Sequence, residues 1–188
     1  MSDKIKINMG SGQRNFGKGW IHIDGNQFPH INSNDIWLEE YPNDIVDLIY
    51  TSHMIAYFDR EEVVPLLERW KEVIRPGGTL RIATPDFQQM VSLYKGYNQY
   101  SLDNFIGPLY GKWNMNGEYI YHKTVYDFDS LKELLLSIGF KDIKRYDWRK
   151  TSHSKFDDHS QAYLPHMDKE NGTLISLNVE CNKWVLKL

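Results

Sequence analysis

The chain has 188 residues, 41% hydrophobic and 14% aromatic, enough for one sizeable core, and the usual domain size predicts a single domain over 1–188. A net charge of −3, with no block of like charge, supplies no basic footprint for phosphates and argues against a nucleic-acid partner. No run reaches the roughly 20 apolar residues that span a bilayer, Met1 opens no apolar leader, and the lone Cys181 forbids an internal disulfide, so a cytoplasmic protein without membrane contact is expected.

Ile5-Lys6-Ile7-Asn8-Met9 alternates as a strand and breaks at Gly10-Ser11-Gly12; a second short strand, Trp20-Ile21-His22-Ile23, ends in Asp24. Glycines on either side of a small residue let backbone approach a ligand closely, and a carboxylate at the next strand tip can accept both hydroxyls of a ribose. The pattern points to a nucleoside-containing cofactor. A dinucleotide fits poorly, because Asn15 stands where the third glycine belongs and Asp24 follows Gly12 by only twelve residues, too few for a pyrophosphate-cradling helix.

A polar connection with Ile31 and Asp35-Ile36 leads to a strand over Ile45–Tyr50. Asp59 and Glu62 predict a helix start, with Val63, Leu67, Trp70 and Ile74 on one face and Pro65 delaying the regular turns. Arg75-Pro76-Gly77-Gly78 turns the chain into a strand over Thr79–Thr84, and a helix from Pro85-Asp86 carries Met90, Val91 and Tyr94. Residues 94–126 hold Tyr97, Tyr100, Phe105, Tyr110, Trp113, Tyr119 and Tyr121 among four glycines without a period; an insertion or lid is expected, serving as an acceptor pocket or a homodimer contact. Asp129 predicts a cap for a helix with Leu131, Leu134, Leu135 and Ile138, ended by Gly139, before a strand from Phe140 to Trp148. A long polar loop, 149–173, precedes a last strand from Leu174 to Leu186. Strands alternating with helices predict an α/β fold with a mostly parallel sheet and the ligand site at the strands' carboxyl ends.

In order, Met9-Gly10-Ser11-Gly12, Gly19-Trp20-Ile21-His22-Ile23-Asp24, Asp47 to His53, Trp70 to Leu80 and Leu134 to Phe140 resemble the class I S-adenosylmethionine-dependent methyltransferases, in the short branch with Gly-x-Gly, Gly-Trp and a strand-end Asp. The resemblance implies a Rossmann-like, seven-stranded sheet with helices on both faces and an antiparallel last strand. It implies S-adenosyl-L-methionine as cofactor: Gly10, Ser11 and Gly12 along the methionine part, Asp24 on the ribose, Asp35 and Ile36 bordering adenine, Ser52 and His53 near the sulfonium. Ser11 replaces the family's usual cysteine, and the short step to Asp24 leaves little room for the family's first helix. Arg14 is the substitute charge partner for the methionine carboxylate.

Methyl transfer to a hydroxyl asks for alignment and one base. His122, ahead of the third helix, is the candidate base. His153, Asp157, Asp158, His159 and His166 form a second polar cluster, read as acceptor contacts or loop polarity; without thiolates or a common helix face, no metal is expected. The acid charge and aromatic stretch suggest O-methylation of a small molecule or saccharide. The alternatives are a non-catalytic S-adenosylmethionine-binding or regulatory module on the same fold, and a nicotinamide-dependent oxidoreductase, which the missing third glycine disfavours.

Overall fold

The computed structural model describes residues 4–96 and 100–184. In chain order its elements are β1 (Lys6–Met9), β2 (Ile21–Ile23), β3 (Val46–Ser52), α1 (Val63–Val73), β4 (Ile74–Pro85), α2 (Phe87–Gly96), α3 (Asp103–Tyr110), β5 (Trp113–Met115) and β6 (Glu118–Ile120). There follow α4 (Phe128–Ile138), β7 (Phe140–Arg145), β8 (Tyr163–Leu164), β9 (Thr173–Leu174) and β10 (Ser176–Lys183).

Six strands form the main sheet in the order β2-β1-β3-β4-β10-β7. The first four run parallel, and β10 is antiparallel to both its neighbours, as expected of the last strand. The expected seventh strand is absent among the described residues. Where it would lie, the chain after Asp24 makes a single parallel bridge, Ile23 to Ser33. That connection is rich in Asn, Asp and Pro, which satisfy backbone locally, and Leu38 and Asp44 take left-handed backbone, so no ladder extends from the bridge.

Strand alternation sorts the sheet into two unlike faces. Ile7, Met9, Ile49, Leu80, Ile82, Leu177, Val179 and Cys181 join Leu66, Leu67 and Trp70 of α1 and Leu131 and Leu135 of α4 in one continuous core. The opposite face carries Asn8, Tyr50, Arg81, Asn178 and Glu180, and among the described residues no α-helix covers it, contrary to the expectation of helices on both faces. The long polar loop does. Its His153, only 1% exposed, stacks on Phe16 at 4.9 Å and lies against Tyr50 at 4.3 Å, while Asn178 Nδ2 donates to Ser160 O. Met90 and Leu93 of α2 pack instead with Phe105, Leu164 and Ile175 in a separate small cluster.

Local chemistry accounts for other departures. The cap of α4 is Asp127, which accepts from Ser130 N–H in a reciprocal capping box, and Asp129 sits in the first turn. Asp59 and Glu62 do exchange capping hydrogen bonds, but α1 becomes regular only at Val63, with Pro65 in its first turn. The Pro-Gly-Gly turn lies inside β4, where the register against β3 jumps from Ile74 to Thr79. A helix, α3, occupies part of the aromatic stretch despite Gly107 and Pro108. Beyond β7, Trp148 starts a 3-10 turn. Tyr97 and Leu186 lie outside the described residues.

Candidate active site

The first strand delivers Gly10 to the carboxyl edge of the sheet, and the turn is closed by its neighbour: the N–H groups of Gly10 and Ser11 both donate to Ile23 O, at 2.8 and 3.2 Å. Asp24, buried at the tip of β2, then fixes two further donors. Its Oδ2 accepts from Gly12 N and its Oδ1 from Asn26 N, each at 2.8 Å. The loop that replaces a first helix is tied at its far end by Phe16 N–H, which donates to Nε2 of His22 at 2.8 Å. Burial and the nearby His30 hold His22 down to about 4, so near neutrality it is the uncharged acceptor this bond requires.

Above the turn is a cavity of about 330 Å³, within the range of cofactor sites. Gly10, Ser11, Gly12, Arg14, Asp24, Ile36, Ser52 and His53 all line it. Asp35 does not. Its oxygens accept from Trp37 and Glu39 N–H and shape the connection, while Asn34 reaches the cavity in its place. Arg14 stands on the wall with its Nε on Asp157 O at 2.8 Å. Four lining side chains carry buried polar atoms with no partner: Asn8 Nδ2, Ser11 Oγ, Ser52 Oγ and His53 Nε2. Buried polar atoms ordinarily find partners, so four of them on residues of one wall leave that wall short of hydrogen bonds.

The β5–β6 hairpin roofs this cavity with Trp113, Met115 and Ile120. Asn26 latches it, donating from Nδ2 to Asn114 O at 3.1 Å and accepting at Oδ1 from Asn116 N at 2.9 Å. This hairpin is the part of the aromatic stretch that covers the first cavity.

A second cavity, about 850 Å³, lies beyond the hairpin between α3 and the long loop. The two cavities share His53, Tyr57, Trp113 and His159. His53 has left-handed backbone (φ 58°), the kind of strain that tight structure holds at functional sites, and its ring stacks on His159 at 5.0 Å. Tyr57 donates its hydroxyl to Gly111 O, and burial pushes it up to about 12. His122 lines the second cavity alone, its Nδ1 3.1 Å from Pro108 O and its ring 6.4 Å from that of His53. Burial lowers all three histidines, most strongly His53; for His159 the Arg14 charge adds to this and Asp158 and Asp157 oppose it. They are neutral imidazoles around one junction, able to take a proton. His159 owes its place to Asp158, whose Oδ1 caps the 3-10 turn His159–Gln161 and whose Oδ2 accepts the buried Tyr50 hydroxyl at 2.6 Å. Trp113 comes from the aromatic stretch read as an acceptor pocket or a homodimer contact, whereas Tyr57 and Asn26 were not singled out, since each reaches the site from a segment with no periodic signal.

Solved structures share this architecture. A SAM-dependent methyltransferase from Archaeoglobus fulgidus matches with a TM-score of 0.59 at 17% identity, over 96% of this chain and 86% of that one. The fold is that of the S-adenosylmethionine-dependent methyltransferases. A second methyltransferase of this fold, from Methanosarcina mazei, matches at 0.55 and 14% identity, over 98% and 95% of the two chains. The 1,6-didemethyltoxoflavin-N1-methyltransferase of Burkholderia thailandensis, solved with its substrate and S-adenosylhomocysteine, matches at 0.55 and 12% identity, over 96% and 71%. No family model matches the chain and no curated protein matches its sequence, so the likeness to the methyltransferase fold is structural. Among the described residues, no helix is long and apolar enough to cross a membrane.

Proposed function

We propose that the protein is an S-adenosylmethionine-dependent methyltransferase that methylates a hydroxyl of a small molecule or saccharide. The observation that carries this is a cavity at the carboxyl edge of the sheet lined by the Gly10-Ser11-Gly12 turn and by the carboxylate of Asp24 that holds the turn. Asp24 keeps lone pairs on both oxygens beyond its two N–H bonds, and these would accept the ribose hydroxyls. Gly10, Ser11 and Gly12 would line the methionine part, Arg14 would face its carboxylate, Asn34 and Ile36 would border the adenine, and Ser52 and His53 would lie toward the sulfonium.

S-adenosylmethionine supplies an electrophilic methyl group when bound. The protein's own work is to align an acceptor in the second cavity, exclude water with the β5–β6 hairpin and remove the hydroxyl proton. His159 is better placed for that proton than His122, because it belongs to the wall common to both cavities. Neighbours of this fold include an N-methyltransferase, so the atom methylated follows from the second cavity rather than from the fold.

Calorimetry with S-adenosylmethionine, S-adenosylhomocysteine and NADH, followed by transfer of labelled methyl across an acceptor panel, tests the reading. Binding of both adenosyl compounds, no binding of NADH and label recovered on a hydroxyl are expected. Binding without turnover across a broad panel would favour the non-catalytic module, and no binding at all would end the proposal.

A further inference from the structure

The second cavity has a one-sided chemistry. Lys112, His122, His159, His166, Tyr100 and Tyr163 line it, and no Asp or Glu does among the described residues. Lys112, at the rim, rests its ammonium 4.0 Å from the Tyr119 ring and has no ion-pair partner among the described residues. Asp158, next to His159, lines the first cavity and not the second, with one oxygen on Ser160 N–H and the other on the Tyr50 hydroxyl. A cationic amine entering this space would lose its hydration, meet a lysine and find no carboxylate. An anion would meet an ammonium together with phenol and imidazole donors, the setting of charge-assisted hydrogen bonds.

We infer that the second cavity binds the methyl acceptor as an anion, a hydroxyl compound bearing a carboxylate, with the carboxylate toward Lys112 and the hydroxyl toward the wall formed by His53 and His159. This rests on the proposed methyltransferase reading, since it is the shared wall that makes the second cavity the acceptor's. It deepens that reading by naming the charge the acceptor carries.

The test is a set of titrations of the full chain with matched pairs: para-hydroxyphenylacetate against tyramine, and galacturonate against galactosamine. Each is run with S-adenosylhomocysteine at saturation, and the affinity of that compound is measured separately for each protein sample. In at least one pair the anion should bind more tightly by about tenfold or more, the contribution of one charge-assisted hydrogen bond. Lys112→Gln should shrink that preference to within about twofold and leave S-adenosylhomocysteine affinity unchanged, because Lys112 does not line the first cavity. Amines that bind as tightly as their anionic partners, anions that do not bind, or a preference that survives Lys112→Gln would each overturn the inference. Failure of the cofactor reading shows independently, as a wild-type protein that does not bind S-adenosylhomocysteine.

Discussion

Asp24 Oδ2 accepts the N–H of Gly12 at 2.8 Å, so the carboxylate expected to meet a ribose also holds the glycine turn shut. Asp24→Ala therefore removes two things at once. The N–H groups of Gly12 and Asn26 lose their acceptor, and the cavity loses its carboxylate. Affinity for S-adenosylhomocysteine, read by calorimetry, should fall by about a hundredfold or more, with a loss of about 1–3 kcal/mol in folding stability from the stranded donors. Asp24→Asn, which keeps one acceptor, should recover most of the stability and little of the affinity. Unchanged affinity in Asp24→Ala would remove the site's central contact.

The two glycines of that turn should differ when a methyl is added. Both have positive φ, 66° at Gly10 and 52° at Gly12, which L-residues adopt at a cost of about 1–2 kcal/mol. A Cβ on Gly10 would also fall 2.8 Å from Met54 Cβ, an atom that cannot move without its backbone. At Gly12 the nearest neighbour is the Trp113 ring at 3.6 Å, an ordinary contact. Gly10→Ala should thus destabilise by about 2–4 kcal/mol and Gly12→Ala by about 1 kcal/mol in urea unfolding. Equal losses would mean that Met54 yields and the turn is looser than its geometry.

Much of the frame was legible in the chain because it rests on local signals. The apolar runs of β1, β3 and β4, the stripe on α4 and its Gly139 stop depend on residues a few positions apart. The glycine turn and Asp24 were legible for the same reason. What could not be read was assembled over distance. Asp35 and Asp24 look alike as loop-edge carboxylates that each accept two backbone N–H groups, and only the fold shows that Asp24 lines the cavity and Asp35 does not. His159 is held in place through Asp158, which is anchored by Tyr50, 108 positions away. The seventh strand and the second layer of helices were carried over from the family pattern, and the local sequence replaces both with loops.

The latch between Asn26 and the hairpin makes a separate expectation. Its amide bonds Asn114 O and Asn116 N, so Asn26→Ala removes two of the bonds that tie down the β5–β6 turn and leaves Asn116 Nδ2 on Gly25 O, while the sheet below keeps its bonds. Hydrogen exchange over 113–120 should accelerate by about tenfold or more, and S-adenosylhomocysteine should dissociate faster, with little change in global stability. Exchange that stays slow would show that the packing of Trp113 and Met115 and the Asn116–Gly25 bond hold the hairpin without Asn26.

Acid should loosen the loop-covered face of the sheet first. His153 is buried among Phe16, Tyr50 and Trp20, neither ring nitrogen has a partner, and burial with the Arg81 and Lys6 charges brings it down to about 3. Because the folded value lies below the unfolded 6.5, its neutral form favours folding fully above 6.5, and that contribution is lost as pH falls from 6.5 toward 3. Between pH 8 and pH 5 the loss from this one group is about 2 kcal/mol. His153→Phe keeps the stacked ring without the proton, so its stability relative to wild type should improve by about that amount on going from pH 8 to pH 5. Denaturant unfolding at the two pH values measures it, and an equal difference at both would mean the wild-type imidazole is protonated in the fold.

His159 and His122 are separated by where they stand. His159 belongs to the wall between the cavities, whereas His122 is held by Pro108 on the far side, so removing them should have unequal effects on transfer. With an acceptor from the anionic panel, His159→Ala should lower kcat by about a hundredfold to ten-thousandfold, the range for a general base, and His122→Ala by about tenfold or less. Burial and Arg14 lower His159 below the ordinary 6.5, with Asp157 and Asp158 opposing and His53 stacked against it, which favours the neutral form that the proposed base would need. The wild-type rate should therefore fall only as pH drops below that value, and His159→Ala should lose this acid limb while binding S-adenosylhomocysteine normally. A limb that persists in His159→Ala and disappears in His122→Ala would return the proton to His122.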